Sequence, residues 1–552
     1  MRSTTLTLHQ TRVQMGSFRN PCQWQFTWEA FCHNSFLRLF LFTPSLSLKS
    51  HYFSNITATV ETLKSHSNAY SLQTLLVRWL EEEETSYNGN HLVDVSLRVP
   101  VPRVLLDLGF PPEVKVLEGY VEIKLVLLLP VDHPLVNDFI AVSHDCDTED
   151  QEGSIDGIMD TDINKLSSMG EVHFYCKSCS MKLTRQSLRS FVEMPSVNWR
   201  ESADNWFGSC CCSFGGASEK LASVYENSLY CMKGICHLDC TSVVICKDDL
   251  TDHPFSDNES KTKKHEAQID PVNTNKFTGL NLESGKLEKL GQFCGNECAG
   301  NGHFFEEMVK SLTVKESSVG FLGAREHGEG NNFNYSNASL GSGFIIRVSS
   351  TANSVRWTEF LCAQCSLLVG SYPSVGEDKF PLDDGIRLFK CHISTSDKVG
   401  GPDDIFRNHT LQRVFVKHLL DSARDEVSYR TVIRDIRTKL PVLQLILVNP
   451  KVWSCTGNCW DTNGDIGEAA LPHVKPVVKV LFRDHDLTTK DESRLVDEWS
   501  TKMEADEIYM MTQDIRDLVA FLKSAQARLP YSCSLLQGMF LSYLESWSLL
   551  LA

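Results

Sequence analysis

Two pairs of cysteines have the spacing that lets side chains share a metal ion. Cys176 and Cys179 form one Cys-x-x-Cys motif, and Cys362 and Cys365 form another. In both motifs an aromatic residue stands two places before the first cysteine, and a serine follows the second. Such a turn can direct two thiolates at one tetrahedral ion, and a structural zinc site then needs two more ligands. Further cysteines must therefore complete each site.

The nearest partners for the first motif are three consecutive cysteines, Cys210, Cys211 and Cys212. In a strand Cys210 and Cys212 would lie on one face, whereas a turn could also present Cys211 and Cys212. The alternative is that these cysteines are small buried apolar side chains, which is common for free cysteine. Five cysteines within 37 residues favour zinc. We therefore predict that Cys176, Cys179 and two of the other three bind one zinc ion.

For the second motif the sequence offers Cys455 and Cys459, whose three-residue gap allows one ion but is less diagnostic. Cys362, Cys365, Cys455 and Cys459 form a second predicted metal site. Core packing accounts better for a group in a predicted strand pair, namely Cys231, Cys236, Cys240 and Cys246.

Other kinds of catalytic site have no signature in the sequence. Neither Cys-x-x-Cys motif begins a helix in a β-α-β unit, as a redox motif would. No local pattern pairs a cysteine nucleophile with a histidine base, and the glycine-rich stretches lack the frame of a phosphate-binding loop. The catalytic residues stay unassigned at this point.

Composition narrows the class of protein. The formal charge is −17, from 53 basic and 70 acidic residues in 552, which argues against direct nucleic-acid binding. Twenty cysteines are too few for a small secreted disulfide scaffold, and no stretch approaches the ~20 apolar residues of a membrane span. We expect a soluble protein of the cytoplasm or nucleus, without membrane contact.

Residues 1–27 carry three arginines and no acid, so an organelle signal is the alternative to a disordered extension.

Patterns along the chain predict six segments. They are an extension (1–22), a β-rich unit (23–144), an acidic linker (145–170), a cysteine-rich zinc unit (171–250), a polar, disordered insertion (251–342) and a mixed α+β unit (343–552). Strands come in runs and do not alternate regularly with helices. The sequence therefore predicts a β-rich α+β fold with mostly antiparallel strands.

The last unit contains the clearest periodic patterns. Residues 404–423 and a later segment predict helices, and the later one places Ile515, Leu518, Val519 and Leu522 on one face. Residues 430–450 predict two adjacent core strands, with Leu445 or Leu447 deeply buried.

Nine stretches, taken in order, resemble the HECT-like family that binds ubiquitin-conjugating enzymes. They are WQFTWE (24–29), LRVPVPRV (97–104), EIKLVLLLPVDHP (122–134), YCKSC (175–179), MPSVNW (194–199), DNWFGSCCC (204–212), CKDD (246–249), RTVIRD (430–435) and VLQLILVNP (442–450). Residues 531–552 depart from the usual ending of that family.

The resemblance implies a ubiquitin ligase-like protein that binds a ubiquitin-conjugating enzyme and promotes transfer of ubiquitin to protein substrates. No catalytic-lobe signature of the HECT ligases is present. A cysteine committed to zinc is a poor nucleophile, so a thioester mechanism would need another residue such as Cys391 or Cys455. Nothing in the sequence around either one recommends it. The alternative is a non-catalytic adaptor or chaperone-like factor, with relatives linked to the mRNA 3′-end processing endonuclease.

Overall fold

The computed structural model describes residues 24–43, 54–64, 71–84, 90–136, 158–194, 231–251, 341–347, 355–376, 380–460, 472–485, 499 and 505–547. They belong to one compact unit, Met1–Ser256 with Ala338–Ala552. The predicted extension, residues 145–157 of the predicted acidic linker, Cys210 to Cys212 and residues 252–340 of the predicted insertion lie outside the described residues.

Strands make up most of the described chain. The first eleven are β1 (Gln25–Phe31), β2 (Phe36–Phe42), β3 (Ser54–Lys64), β4 (Ser71–Glu84), β5 (Asn90–Pro100), β6 (Glu113–Leu117), β7 (Tyr120–Val126), β8 (Tyr175–Cys176), β9 (Ser190–Glu193), β10 (Ile235–Leu238) and β11 (Ser242–Cys246). The others are β12 (Ile346–Arg347), β13 (Val355–Leu361), β14 (Leu368–Val375), β15 (Gly385–Phe389), β16 (Ile393–Ser394), β17 (Arg430–Asp435), β18 (Pro441–Asn458), β19 (Lys475–Asp484), β20 (Asp506–Met510), β21 (Leu535–Leu536) and β22 (Met539–Glu545). The α-helices of the described residues are α1 (Ile158–Ser168), α2 (Leu411–Asp425), α3 (Thr512–Gln526) and the short α4 (Tyr531–Ser534).

The largest sheet is organised around β18. Its first half pairs with β17 and its second half with β1, while β19 follows its other edge. Beyond these neighbours, β20 and β12 continue the sheet from β17, and β2, β7 and β6 continue it from β1. Leu445 is fully buried and Leu447 is 6% exposed, which confirms the two core strands predicted for residues 430–450.

The N-terminal part of this sheet is covered by the three-stranded sheet β3–β4–β5. Trp28 of β1 and Trp24, directly before β1, pack in one core cluster with Trp79 of β4. The ring centroids of Trp24 and Trp79 are 5.3 Å apart. The indole N–H of Trp28 donates to the carbonyl of Pro100 at 2.9 Å. These buried aromatic side chains hold the two layers together, since each removes a large apolar area from water.

The C-terminal half of the large sheet packs against α2 and α3. In α3 Ile515, Leu518 and Leu522 are buried, which confirms the predicted apolar face. Thr410 caps α2 by accepting the N–H of Arg413, so the helix begins seven residues later than predicted.

A six-stranded sheet, in the order β13–β14–β15–β11–β10–β9, encloses a separate core. Cys231, Cys236 and Cys246 are buried and Cys240 is half-buried, consistent with the predicted packing role.

Helix α1 lies in the segment for which the sequence predicts a solvated acidic linker. Its Asp162 is buried because Lys390 neutralises and binds the carboxylate.

The described chain is therefore β-rich, with mostly antiparallel sheets and few helices, as predicted. The large sheet contains strands from both the predicted β-rich unit and the predicted mixed unit, because β1 pairs with β18. The domain boundaries themselves stay a prediction. Within the described ranges, none of the helices has the length and apolar character to cross a membrane.

Candidate metal centre

The cysteines of the two Cys-x-x-Cys motifs meet at one point. The Sγ atoms of Cys176, Cys179, Cys362 and Cys365 all lie within 4.8 Å of one another. Cys176 Sγ is 3.7 Å from Cys365 Sγ, and Cys179 Sγ is 3.6 Å from Cys362 Sγ. Four sulfurs placed about 2.3 Å from a central ion would be about 3.8 Å apart in a regular tetrahedron. Disulfide sulfurs would be about 2.05 Å apart. The observed spacing fits four thiolates around one metal ion.

Both motifs form the same turn. In the first, Ser180 N–H donates to the carbonyl of Cys176 at 2.9 Å, and Cys176 N–H donates to the carbonyl of Met181 at 2.8 Å. The second motif repeats both bonds at equivalent positions, each at 2.9 Å. Ser180 and Ser366 share a φ of 58°, a left-handed conformation that reverses the chain after each motif. The repeated serine of the sequence is therefore part of a repeated local structure.

The sheets bring the two turns together. The first turn follows β8, which pairs with β16, and the second joins β13 to β14. Cys176 and Cys362 are each 1% exposed and belong to the core enclosed by the six-stranded sheet. Cys179 and Cys365 are half-buried. Each pair is held in its own hairpin-like turn, and the pairing of the strands beside the turns determines where the thiols lie.

The electrostatics of the cluster favour a cation. At Cys365 burial opposes ionisation, but the N–H of Leu367 and the neighbouring thiols outweigh it and lower the pKa of the thiol to about 7. At Cys176 burial prevails over the backbone hydrogen bonds and raises the pKa to about 12. Four adjacent thiolates repel one another, so full ionisation needs a compensating positive charge. A divalent ion at the centre would provide that charge and keep all four sulfurs deprotonated.

The cysteine cluster differs in membership from the two ligand sets predicted from spacing. The structure places Cys362 and Cys365 with Cys176 and Cys179, whereas the sequence predicts that Cys362 and Cys365 bind with Cys455 and Cys459. Cys455 lies in β18 and Cys459 directly after it, both at the N-terminal core, where Cys459 N–H donates to the carbonyl of Trp24. Burial raises the pKa of Cys455 to about 12 and raises that of Cys459 further.

Of the cysteines predicted to complete the first site, Cys210, Cys211 and Cys212 lie outside the described residues. The signal in the sequence that pointed to the observed set was the repeated motif itself.

A lysine inside the first turn connects the cysteine cluster to the chain around residues 390–409. The Nζ of Lys177 donates to the carbonyls of Lys390, Phe406 and His409 at 3.1, 2.7 and 3.0 Å. Its backbone N–H donates to the carbonyl of His392 at 3.0 Å. The turn that holds two potential metal ligands therefore also fixes the backbone of the neighbouring loop.

A second group of potential ligands joins the β1–β2 turn to the segment after β7. Cys32 Sγ donates to Asp132 Oδ2 at 2.7 Å, and His33 N–H donates to Asp132 Oδ1 at 3.0 Å. Burial and the bond to Asp132 raise the pKa of the Cys32 thiol to about 11. The His33 side chain is 71% exposed. Both oxygens of the Asp132 carboxylate already accept hydrogen bonds from these donors. The group therefore stabilises the β1–β2 turn.

Comparisons with known proteins give one match. Residues 127–541 match a family model described as HECT-like Ubiquitin-conjugating enzyme (E2)-binding. Neither the curated proteins nor the solved structures gave a significant match to the chain. The matched region includes all four clustered cysteines, β18 and the helices α1 to α3.

Proposed function

Because the chain belongs to the HECT-like ubiquitin-conjugating enzyme (E2)-binding family, we propose that it is an E3 ubiquitin-protein ligase-like protein. It binds a ubiquitin-conjugating enzyme and promotes transfer of ubiquitin to protein substrates. The observation that carries this proposal is the family match over residues 127–541, most of the chain.

The first experiment measures binding and transfer separately. The purified full chain is immobilised and offered a panel of conjugating enzymes, first uncharged and then charged with ubiquitin. We expect one or a few enzymes to bind, and we expect the chain to accelerate their loss of ubiquitin to free lysine or to a protein acceptor. Binding without acceleration would support the adaptor alternative, and no binding across the panel would contradict the proposal.

The cysteine cluster belongs in this proposal as a structural zinc site. Cys176, Cys179, Cys362 and Cys365 provide a closed set of four thiolates, which is typical of structural zinc, and leave no ligand position for a substrate or water. Zinc bound there would hold together β8, β16 and the β13–β14 turn. It would supply no chemistry to the transfer reaction itself.

The ligand set can be tested by metal analysis of matched variants. We expect about one zinc per wild-type chain and a large loss of zinc from Cys365→Ser. Cys455→Ser tests the alternative set. It changes a buried thiol of the N-terminal core and should retain the metal. Loss of zinc from Cys455→Ser, or its retention in Cys365→Ser, would contradict the observed cluster as the binding site.

A further test concerns the three cysteines that the structure does not describe. A variant with Cys210, Cys211 and Cys212 all changed to serine should keep its zinc if the four clustered cysteines suffice. Loss of zinc from this variant, with Cys365→Ser unaffected, would favour the ligand set predicted from sequence spacing.

A further inference from the structure

A cavity beside the cysteine cluster contains a second kind of cysteine site. It has a volume of about 350 Å³, opens to solvent, and is lined by Cys391, His392, Arg407, Thr410 and Phe521, among others. The loop that carries Cys391 and His392 is held by Lys177, whose N–H binds the carbonyl of His392. Neither Cys391 nor His392 belongs to the four-cysteine cluster.

Cys391, His392 and Asp514 bring together a thiol, an imidazole and a carboxylate. His392 Nε2 lies 2.7 Å from Asp514 Oδ1 in the first turn of α3. This contact occupies Nε2, so proton exchange between the ring and the adjacent thiol of Cys391, which lines the same cavity, would have to use Nδ1. Burial opposes protonation of the ring, but the neighbouring Cys391 and the bond to Asp514 outweigh it and raise the pKa of His392 well above its ordinary value. A thiolate beside an imidazolium is the form that attacks carbonyl carbon.

Burial of the Asp514 carboxylate is energetically unfavourable, and packing alone does not explain it. Asp514 is fully buried, and its Oδ2 has no hydrogen-bond partner among the described residues. A buried carboxylate that is only half satisfied is unfavourable unless a positive charge is adjacent. The imidazolium form of His392 provides that charge. Cys391 also packs at the edge of the C-terminal core, but packing does not require a histidine bound to a buried acid.

From this geometry we propose that Cys391 accepts ubiquitin from the conjugating enzyme as a thioester, with His392 as general base and Asp514 as a positioning residue. The proposal rests on the proposed function for its acyl donor. It assigns the nucleophile that the sequence left open.

The step is an exchange of one thioester for another. His392 takes the proton of the Cys391 thiol, and the sulfur attacks the carbonyl carbon at the carboxyl end of ubiquitin. A carbon–sulfur bond to Cys391 forms while the bond to the sulfur of the conjugating enzyme breaks. The departing thiolate receives the proton from His392. In the second step an acceptor amine attacks the new thioester, an amide forms, and the proton lost by the amine returns to Cys391.

The size of the cavity agrees with such an acyl group. Ligand sites are typically about 300–1,000 Å³, so this cavity is at the small end of the range. It can receive an extended chain end with small side chains, such as the terminal glycines of ubiquitin, while the folded body of ubiquitin stays outside. Besides Cys391 and His392, the charged or titratable side chains that line the cavity are Lys177, Arg407, His409 and Asp517.

The other described cysteines fit the role less well. Burial raises the pKa of the buried or half-buried thiols outside the four-cysteine cluster, namely Cys231, Cys236, Cys240, Cys246, Cys455, Cys459 and Cys533. Cys32 has a histidine and an aspartate nearby, but its thiol donates directly to Asp132. Asp132 also lies 3.0 Å from His33 Nδ1, but its hydrogen bond to the thiol stabilises the protonated form of Cys32, which is not the nucleophile. Cys32 therefore provides a matched control.

The main experiment is single transfer from charged conjugating enzymes to the full chain, analysed on non-reducing gels. Wild type and Cys32→Ala should form a ubiquitin adduct that thiols cleave. Cys391→Ser should form an ester that resists thiols but is cleaved by hydroxide, and Cys391→Ala should form no adduct. Zinc content and thermal unfolding of each variant show whether it is folded. An adduct that maps to another cysteine, or that persists in Cys391→Ala, would overturn the assignment.

A second measurement does not depend on any conjugating enzyme. The chain is treated with iodoacetamide and with ubiquitin vinyl sulfone, and the modified cysteines are identified by mass spectrometry. At pH 7 an ordinary thiol of pKa about 8.5 is only about 3% thiolate. We therefore expect Cys391 to react at least tenfold faster at pH 7 than a free cysteine derivative, and His392→Ala to remove most of that excess. Asp514→Asn should shift the pH profile of Cys391 alkylation upward without abolishing the reaction.

The two measurements separate the possible failures. If Cys391 reacts selectively but no conjugating enzyme binds, the proposed function fails and the nucleophile stands. If conjugating enzymes bind and discharge equally with wild type and Cys391→Ala, the proposed function stands and Cys391 is not the acceptor. Equal alkylation of Cys391 and Cys32 would also overturn the inference.

Discussion

The buried ion pair between Lys390 and Asp162 gives the most quantitative prediction. Lys390 Nζ lies 2.7 Å from Asp162 Oδ2, and the two side chains are 0% and 6% exposed. His409 Nε2 lies 3.2 Å from the same oxygen. Lys390 also stands 5.3 Å from the ring centroid of Phe406. This network attaches α1 to the core beneath the β15–β16 connection.

Lys390→Met should destabilise the chain strongly because it leaves the Asp162 carboxylate buried without its cation. Removing one partner of a buried pair costs about 3–5 kcal/mol. Replacing both partners by apolar residues of similar volume is often close to neutral. We therefore expect Lys390→Met, Asp162→Leu to cost less than either single variant.

The assay is urea unfolding followed by tryptophan fluorescence, combined with hydrogen exchange of the α1 amides. Hydrogen exchange detects local opening of α1, which fluorescence alone would miss. Lys523→Met is the control, because its ion pair with Asp484 joins side chains that are 55% and 32% exposed. Such a surface pair should contribute less than about 1 kcal/mol. Additive costs in the double variant would refute the reasoning, since they would mean that Lys390 and Asp162 do not depend on each other.

Three further predictions concern the rest of the chain. Leu445→Asp should cost several kcal/mol because the carboxylate enters the core, whereas Val448→Asp, at a site 49% exposed on the same strand, should change urea stability by less than about 1 kcal/mol. Burial opposes ionisation of Asp506, but His418 and other partners outweigh it and lower its pKa, so its contribution is present above about pH 3.9 and lost as pH falls through the lowered value. Asp506→Asn should therefore be less stable than wild type at pH 6, with a difference that shrinks in unfolding curves below pH 4. Deletion of residues 252–340 should leave zinc content and the unfolding midpoint nearly unchanged, and a large drop in either would contradict their predicted dispensability.

The parts of the fold that follow from local periodicity could be predicted from the sequence. The apolar run of β18 and the face of α3 with Ile515 and Leu518 are visible within about ten residues. Leu445 is buried because both faces of β18 are covered, which its nearly continuous apolar sequence indicates.

The parts that depend on distant partners could not be predicted in the same way. Cys179 and Cys362 are 183 residues apart, and only the sheet topology brings their turns together. Likewise, the acidic composition around Asp162 indicates a solvated segment, because its partner Lys390 lies 228 residues further along the chain. Cys391 gave no local signal either, since its carboxylate partner is in α3, 122 residues after His392.

The pairing of β1 with β18 has a consequence for how the protein is made. The hydrogen bond from Ser454 Oγ to the carbonyl of Trp28 joins residues 426 positions apart. A ribosome that adds about 5–20 residues per second needs roughly 20–90 s to produce β18 after β1 has emerged. During that time β1 can pair with β2, but the unpaired backbone N–H and C=O groups of its other edge remain open and can associate with other chains. Nascent chains should therefore need chaperone protection until β18 emerges, and chains interrupted before residue 441 should aggregate even though the finished sheet is continuous.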